Sequence, residues 1–364
     1  MHIRAVHVYA RQLEVAGEPY RMARTAVERL DTTVVQVIAD DGLCGWGETC
    51  PVGPVYQAHH ARGARAALQE MIPGLIGRDP LPIGPNRTAM DARLEGHDYA
   101  KAAIDIALHD LAAKHYGVRV CDLLGGPRVE RVPAYHAIGV MAPAEAARIA
   151  AEQVAAGFAR LQIKLGGRPI EADIEAVRAV ANAVGGRARL VADANRGWSA
   201  RDALLASNAW TDLPLTLEQP CNTLEEIATV RPQLRHPVFL DESATDLNAL
   251  LRAISLGVCD GFGFKVTRAG GLAPMRTIRD VCSTRSLPHT VDDAWGGDII
   301  AAACTHLAAT VEPRQLDGVW LAEPYLAEHY DPDNGIRIRD GHIGTGLGVN
   351  IDPARFGEPV ASWD

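Results

Sequence analysis

Lys164, Asp193, Glu218, Asp241 and Lys265 recur every 23 to 29 residues through the second half of the chain. Each follows a short apolar run: Leu161-Gln162-Ile163, Leu190-Val191-Ala192, Leu215-Thr216-Leu217, Val238-Phe239-Leu240 and Gly261-Phe262-Gly263-Phe264. A strand, a loop and a helix of one β/α unit take roughly 25–30 residues. The spacing therefore predicts one polar residue at the carboxyl end of each of five consecutive parallel strands. In a closed barrel those ends meet at one mouth, which gathers three carboxylates and two amines into one pocket. Three acids in a dry site repel one another unless a cation joins them. All-oxygen donors favour magnesium, with manganese as the alternative, so Asp193, Glu218 and Asp241 are the expected metal ligands.

Lys164 and Lys265 end strands four places apart in an eight-strand ring, so they are expected to face each other across a bound carbon acid. Burial near a divalent ion pushes an ammonium toward neutrality and lets the amine act as a base. Taken singly, each carboxylate reads as a helix cap, and the lysines read as counter-charges. Those readings give no reason for five residues in register or for amines on opposite sides. Glu242 follows Asp241 directly, and alternation turns it away from the mouth.

The elements that must position these residues change pattern near Arg131. Before it, residues 1–10 and 31–40 read as strands, and Asp40-Asp41-Gly42 reads as a hairpin turn into Leu43–Glu48. Glu14 to Arg24 reads as a loop. Alanine-rich runs from His59 to Met71 and from Tyr99 to Tyr116 have helical periodicity. This is a small α+β domain over 1–130. After it, β and α alternate eight times. Val132–Val140 is the expected first strand, Pro288–Val291 the seventh and Gly318–Leu321 the eighth, with helices such as Ala142–Ala156, Glu171–Val184 and Leu272–Arg285 between. The catalytic barrel is thus expected over 131–324. A C-terminal segment, 325–364, has little periodicity and is expected to pack on the first domain.

The chain has 364 residues, 48% hydrophobic and 22% charged, which is ordinary for a globular protein with a large core. A net charge of −9 argues against a nucleic-acid surface. No apolar run approaches the roughly 20 residues of a membrane span, and the N-terminal residues have no signal-like core. Seven scattered cysteines without zinc-finger spacing read as reduced thiols, hence a cytoplasmic home.

Several motifs go further. They are Gly45-Trp46-Gly47-Glu48, Lys101-Ala102-Ala103-Ile104-Asp105, Asp193-Ala194-Asn195, Leu217-Glu218-Gln219-Pro220, Leu240-Asp241-Glu242-Ser243 and Lys265-Val266-Thr267-Arg268-Ala269-Gly270-Gly271. By these the chain resembles the enolase superfamily, in the muconate lactonizing enzyme subgroup. The resemblance implies an α/β fold, a modified TIM barrel of (β/α)7β type with an N-terminal α+β capping domain. It implies the same three magnesium ligands, Lys164 and Lys265 as acid/base catalysts, and frequent homo-oligomers. The subgroup usually carries Lys-x-Lys at the second strand; here Gln162-Ile163-Lys164 keeps only the second lysine. A substrate with a fixed positive charge would tolerate Gln162 better than another ammonium.

Cys50-Pro51-Val52-Gly53-Pro54, Glu218-Gln219-Pro220-Cys221-Asn222 and Asp292-Asp293-Ala294-Trp295-Gly296-Gly297 make the chain most similar to hydroxyproline betaine 2-epimerases, with cis-3-hydroxyproline dehydratases as neighbours. The implied substrate is a small carboxylate with a quaternary ammonium, inverted at C2 through an enediolate. Aromatic faces and acids are the partners for such a cation, so Tyr56, Trp320, Asp292 and Asp293 are expected beside it, with Trp295 as wall or core. The Ala294 backbone is expected at the substrate carboxylate. The runner-up reactions are dehydration of cis-3-hydroxy-L-proline, N-acyl amino acid racemisation and muconate cycloisomerisation; a silent binding barrel is the remaining class. Mandelate-racemase-type chemistry would need a histidine ending the seventh strand, and His289 precedes that end.

Overall fold

The computed structural model describes residues 1–53, 56–346 and 349–364; Pro54 of the motif above lies outside them. The chain begins with an antiparallel sheet. Ile3–Glu14 pairs with Arg29–Ala39, which pairs with Cys44–Thr49, and the C-terminal strand Ala361–Trp363 joins the free edge of the first. Helices Ala61–Met71, Ile83–Asp91 and Asp98–Tyr116 cover one face, burying Val35, Val37, Leu68, Met71, Ile104 and Leu108. The glycines of Gly45-Trp46-Gly47 let the longest helix lie directly on its strand: a Cβ at Gly47 would stand 1.8 Å from the Ala103 carbonyl oxygen.

Two expectations need correction here. The segment Glu14–Arg24 is not all loop, because the first strand runs through Glu14 and Tyr20–Arg21 forms a short hairpin with Ala26–Val27. The helix Ile83–Asp91 was not expected; its Gly84-Pro85 sits in the first turn, where a proline lacks nothing the helix needs.

Seven parallel strands follow in sequential order around a curled sheet: His136–Ile138, Arg160–Lys164, Arg189–Asp193, Leu215–Glu218, Val238–Leu240, Gly261–Lys265 and His289–Asp292. These are the first to seventh barrel strands. The expected eighth strand, Gly318–Leu321, is reduced to single bridges. Val319 bridges Ala134 and Leu316 bridges His289, both parallel, so this segment spans the gap between the seventh strand and the first. Val319 N donates to Pro133 O at 2.9 Å and Val291 N to Gly318 O at 3.3 Å. The expected first strand, Val132–Val140, divides into Arg131–Pro133, which pairs antiparallel with His342–Gly344, and the barrel strand proper. All seven cysteines are free thiols. Among the described residues no helix is long and apolar enough to cross a membrane.

Two buried acids of the first 130 residues cap helices that follow barrel strands. Glu48 accepts from Gly297 N at 3.0 Å and Ile300 N at 3.3 Å, at the start of Asp298–Ala308. Asp105 accepts from Leu272 N at 2.6 Å, at the start of Leu272–Arg285. These helices follow the seventh and sixth strands, so the first domain fixes the side of the barrel that carries Lys265.

Candidate active site

Strand register sets the first contacts. Lys164 lies opposite Asp193, and Asp193 opposite Glu218, at the ends of the second, third and fourth strands. Asp241 follows the last residue of the fifth strand and Lys265 ends the sixth. Asp193, Glu218 and Asp241 are 0%, 3% and 0% exposed. Protein donors stand among them. Gln162 Nε2 donates to Asp193 Oδ2 at 2.5 Å and to Glu218 Oε1 at 3.0 Å, while Lys164 Nζ donates to Asp193 Oδ2 at 2.6 Å. Lys265 Nζ is 3.3 Å from Asp241 Oδ2. With these donors interposed, the three acids do not stand as a ready ligand shell; among the described residues no such group of three does.

The charge balance follows from burial and proximity. Burial raises the Glu218 carboxyl well above the usual range, and Asp193 and Asp241 add to it. Burial acts on Asp241 in the same sense, but Lys265, Arg268 and Lys164 outweigh it and bring its carboxyl down. The expected fall of the lysine pKa values is not what the protein groups produce. Burial pushes Lys164 down, yet Asp193 and Glu218 overcome it and the net direction is up. Lys265 also rises, with Asp241 and Asp292 overcoming burial.

A cavity of about 360 Å³, counted with its mouth, separates the lysines. Lys164, Lys265, Gln162, Tyr56, Trp320 and Tyr20 border it, and Asp293, Ala294 and Trp295 complete one wall. Tyr56 comes from the first domain and donates its hydroxyl to Asp241 Oδ2 at 3.2 Å. Arg196 Nη2 donates to the Tyr56 carbonyl at 2.5 Å, tying this loop to the end of the third strand.

Three substrate-side expectations are revised. Asp292 does not border the cavity: Oδ1 accepts from Trp320 N at 2.6 Å, and Oδ2 accepts from Tyr135 OH at 2.9 Å and from Thr290 Oγ1. Its nearest amine is Lys265, at 3.8 Å. Asp293 borders the cavity, but its carboxylate is held by Thr267 N and Thr267 Oγ1, each at 2.7 Å. The Ala294 N–H donates to Asp293 Oδ1 at 2.7 Å, so it is not free for a substrate carboxylate.

Spacing alone does not single out two further residues that hold the acids. Arg268 Nη1 donates to Asp241 O at 2.6 Å and Asp241 Oδ1 at 2.8 Å. Asn195, at a positive φ of 43°, donates its backbone N–H to Asp193 Oδ1 at 2.8 Å. Each lies within three residues of a strand-end residue already marked by the repeat, and that nearness is the signal in the sequence. Glu242, its side chain only 4% exposed, accepts from Asn195 Nδ2 at 3.2 Å, the same nitrogen that donates to Asp193 Oδ2 at 3.2 Å. His289 begins the seventh strand, buried, with Nδ1 donating to Leu287 O at 3.0 Å.

Comparison with known proteins adds independent findings. Residues 4–125 match the N-terminal domain of the mandelate racemase/muconate lactonizing enzymes, and residues 145–355 match the enolase C-terminal domain-like family. A cis-3-hydroxy-L-proline dehydratase of Roseibium aggregatum is 40% identical over 309 residues, covering 85% of this chain and 84% of that protein. A crystal structure of an enolase superfamily member from Roseovarius nubinhibens, complexed with magnesium, superposes with a TM-score of 0.93 at 33% identity, covering 100% of this chain and 99% of the other. A dipeptide epimerase from Enterococcus faecalis, complexed with magnesium and the dipeptide L-Leu-L-Tyr, gives 0.89 at 29% identity, covering 96% and 98%.

Proposed function

Because the chain belongs to the mandelate racemase/muconate lactonizing enzyme family of the enolase superfamily, we propose that it removes the α-proton of a small proline-type carboxylate held between Lys164 and Lys265. One observation carries this reading: two buried amines from strands four places apart border the same small cavity, with acids between them. Asp193, Glu218 and Asp241 suit a hard divalent cation by donor type, by burial and by the mutual repulsion that raises Glu218. They would hold magnesium, which the two crystal structures above contain, or manganese by the same chemistry. When bound there, the ion would supply positive charge to the substrate carboxylate and acidify the adjoining carbon.

The side chains do the rest. One lysine, as the neutral amine, takes the α-proton, and the other, as the ammonium, stands ready to return one on the opposite face. Tyr56 and the hairpin at Tyr20 cover the mouth and keep bulk water from the carbanion. Tyr56, Trp320 and Trp295 present aromatic surface to a cationic ring nitrogen.

Two fates fit this first step. Opposed lysines support inversion at C2, with proline betaine or 4-hydroxyproline betaine as the substrate. The 40% identical dehydratase favours the second fate, loss of water from cis-3-hydroxy-L-proline. Both are tested by incubating the magnesium-loaded enzyme in deuterium oxide with each of these three compounds. Deuterium at Cα with inversion supports the first, and a dehydrated product supports the second. Absence of Cα deuterium and of product from all three would overturn the proline-type reading.

A further inference from the structure

Tyr20 reaches the cavity from the hairpin of the first domain and is only 8% exposed. Among the described residues its hydroxyl has no hydrogen-bond partner. Buried phenols almost always find one, because leaving the group unmet forfeits its hydration. The other tyrosines around the site are engaged. Tyr56 donates to Asp241, Tyr135 to Asp292 at 2.9 Å, and Tyr325 to Ala137 O at 2.9 Å.

The Tyr20 ring is held firmly. It meets Trp295 edge-on at 5.6 Å between centroids and Tyr325 at 5.2 Å. Arg21 O, next along the chain, accepts from Val140 N at 3.0 Å, which ties the hairpin to the end of the first barrel strand. The hydroxyl therefore has a fixed position. Burial, then Asp193 and Glu218, push its pKa up, so it keeps its proton and remains a donor. Among the described residues, two more buried atoms on residues bordering the same cavity are unpartnered: Gln162 Oε1, an acceptor, and Trp320 Nε1, a donor. A substrate hydroxyl is the small substituent that can accept from Tyr20 and donate to the Gln162 oxygen. A carboxylate could accept from Tyr20 and from Trp320 Nε1 but would leave the Gln162 oxygen unmet.

We infer that Tyr20 is a specificity-determining residue whose hydroxyl donates a hydrogen bond to a hydroxyl on the substrate's ring, so that hydroxylated proline derivatives are selected over unsubstituted ones. This rests on the proline-type reading above and names the feature of the substrate that the site recognises.

The test compares wild type and Tyr20→Phe on a ring-hydroxylated proline derivative and on its unsubstituted counterpart with the same N-substitution. The readout is kcat/KM for Cα deuterium exchange. Wild type should favour the hydroxylated compound, and the ratio of the two values should fall about tenfold in Y20F. The metal-free Y20F protein should have a Tm equal to or above wild type, because the lost hydroxyl bonds none of the described residues. An unchanged ratio, whether or not both rates fall, overturns the assignment, as does a lowered Tm. If wild type exchanges neither compound, the proline-type reading falls and takes this inference with it. If wild type exchanges both and Y20F leaves their ratio intact, only the role of Tyr20 falls.

Discussion

Lys164 Nζ stands 2.6 Å from Asp193 Oδ2, and the two residues are direct register partners on neighbouring barrel strands. The sixth and seventh strands repeat the relationship: Lys265 is the register partner of Asp292, 3.8 Å away, while Asp241 is nearer at 3.3 Å. Each amine is thus anchored by its own aspartate, and under the function proposed above each serves one face of the substrate. Lys164→Ala and Lys265→Ala should each lower turnover by about 10²–10⁴-fold. In deuterium oxide each variant should still exchange the Cα proton of one enantiomer, and the two variants should differ in which. NMR of both enantiomers checks this; identical exchange behaviour in the two variants would mean that the lysines do not divide the faces.

Asp241 is held by two cationic groups, Arg268 on Oδ1 and Lys265 near Oδ2. Asp241→Asn keeps its shape and removes its charge, which should weaken magnesium binding by about tenfold or more. Isothermal titration with magnesium measures this directly, and wild-type affinity in D241N would remove Asp241 from the ligand set.

How much of this arrangement was legible depended on how local its cause was. Lys164, Asp193, Glu218 and Lys265 end strands whose apolar runs mark them, so periodicity alone brings them to one mouth. The eighth strand is legible only in part, because Gly318-Val319-Trp320-Leu321 is apolar enough for a strand yet forms only bridges, with Gly318 at a φ of 109°. Asp292 shows a different limit. Its type and position at a strand end suit a substrate cation, but Tyr135 and Thr290, distant or unmarked in the chain, claim its carboxylate. The partners of Asp241 and Glu48 likewise come from segments far along the sequence, and no local pattern announces them.

Gln162 occupies the place of a usual lysine, and its amide nitrogen spans Asp193 and Glu218. A lysine there would add an ammonium beside Lys164, within a few ångströms of a cationic substrate. Gln162→Lys should therefore raise KM for an N-methylated or protonated proline by about tenfold or more, and much less for a neutral N-acylated one. Steady-state kinetics on such a pair decides it. An equal loss on both would show that Gln162 acts through packing rather than charge.

Acid should weaken the fold through its buried histidines. Burial brings His136, His289 and His306 down to about 4 from an ordinary 6.5. Between those values the unfolded chain binds protons that the folded chain refuses. Their contribution is therefore fully present above about pH 6.5 and is lost as pH falls toward about 4. Urea midpoints should fall across this window, and His289→Asn should flatten the slope. A slope identical to wild type would mean that His289 is not a neutral buried group.

Glu48 links three parts of the chain. Its carboxylate accepts from Thr32 Oγ1 at 2.8 Å, from Gly297 N and Ile300 N at the start of the helix after the seventh strand, and from Tyr330 OH at 2.7 Å in the C-terminal segment. It is fully buried, and burial raises its pKa against these donors. Glu48→Ala would leave the donors unmet and open a void, at a cost of about 3 kcal/mol. Glu48→Gln retains an oxygen for the helix N–H groups and should cost about half as much. Because Gly297 follows Trp295 closely, the Ala variant should also loosen the cavity wall and raise KM while Lys164 and Lys265 stay in place. Denaturant unfolding and steady-state kinetics on the same two variants test both effects. If E48A unfolds at the wild-type midpoint, Glu48 does not hold the domains together, and the wall beside Lys265 is positioned by the barrel alone.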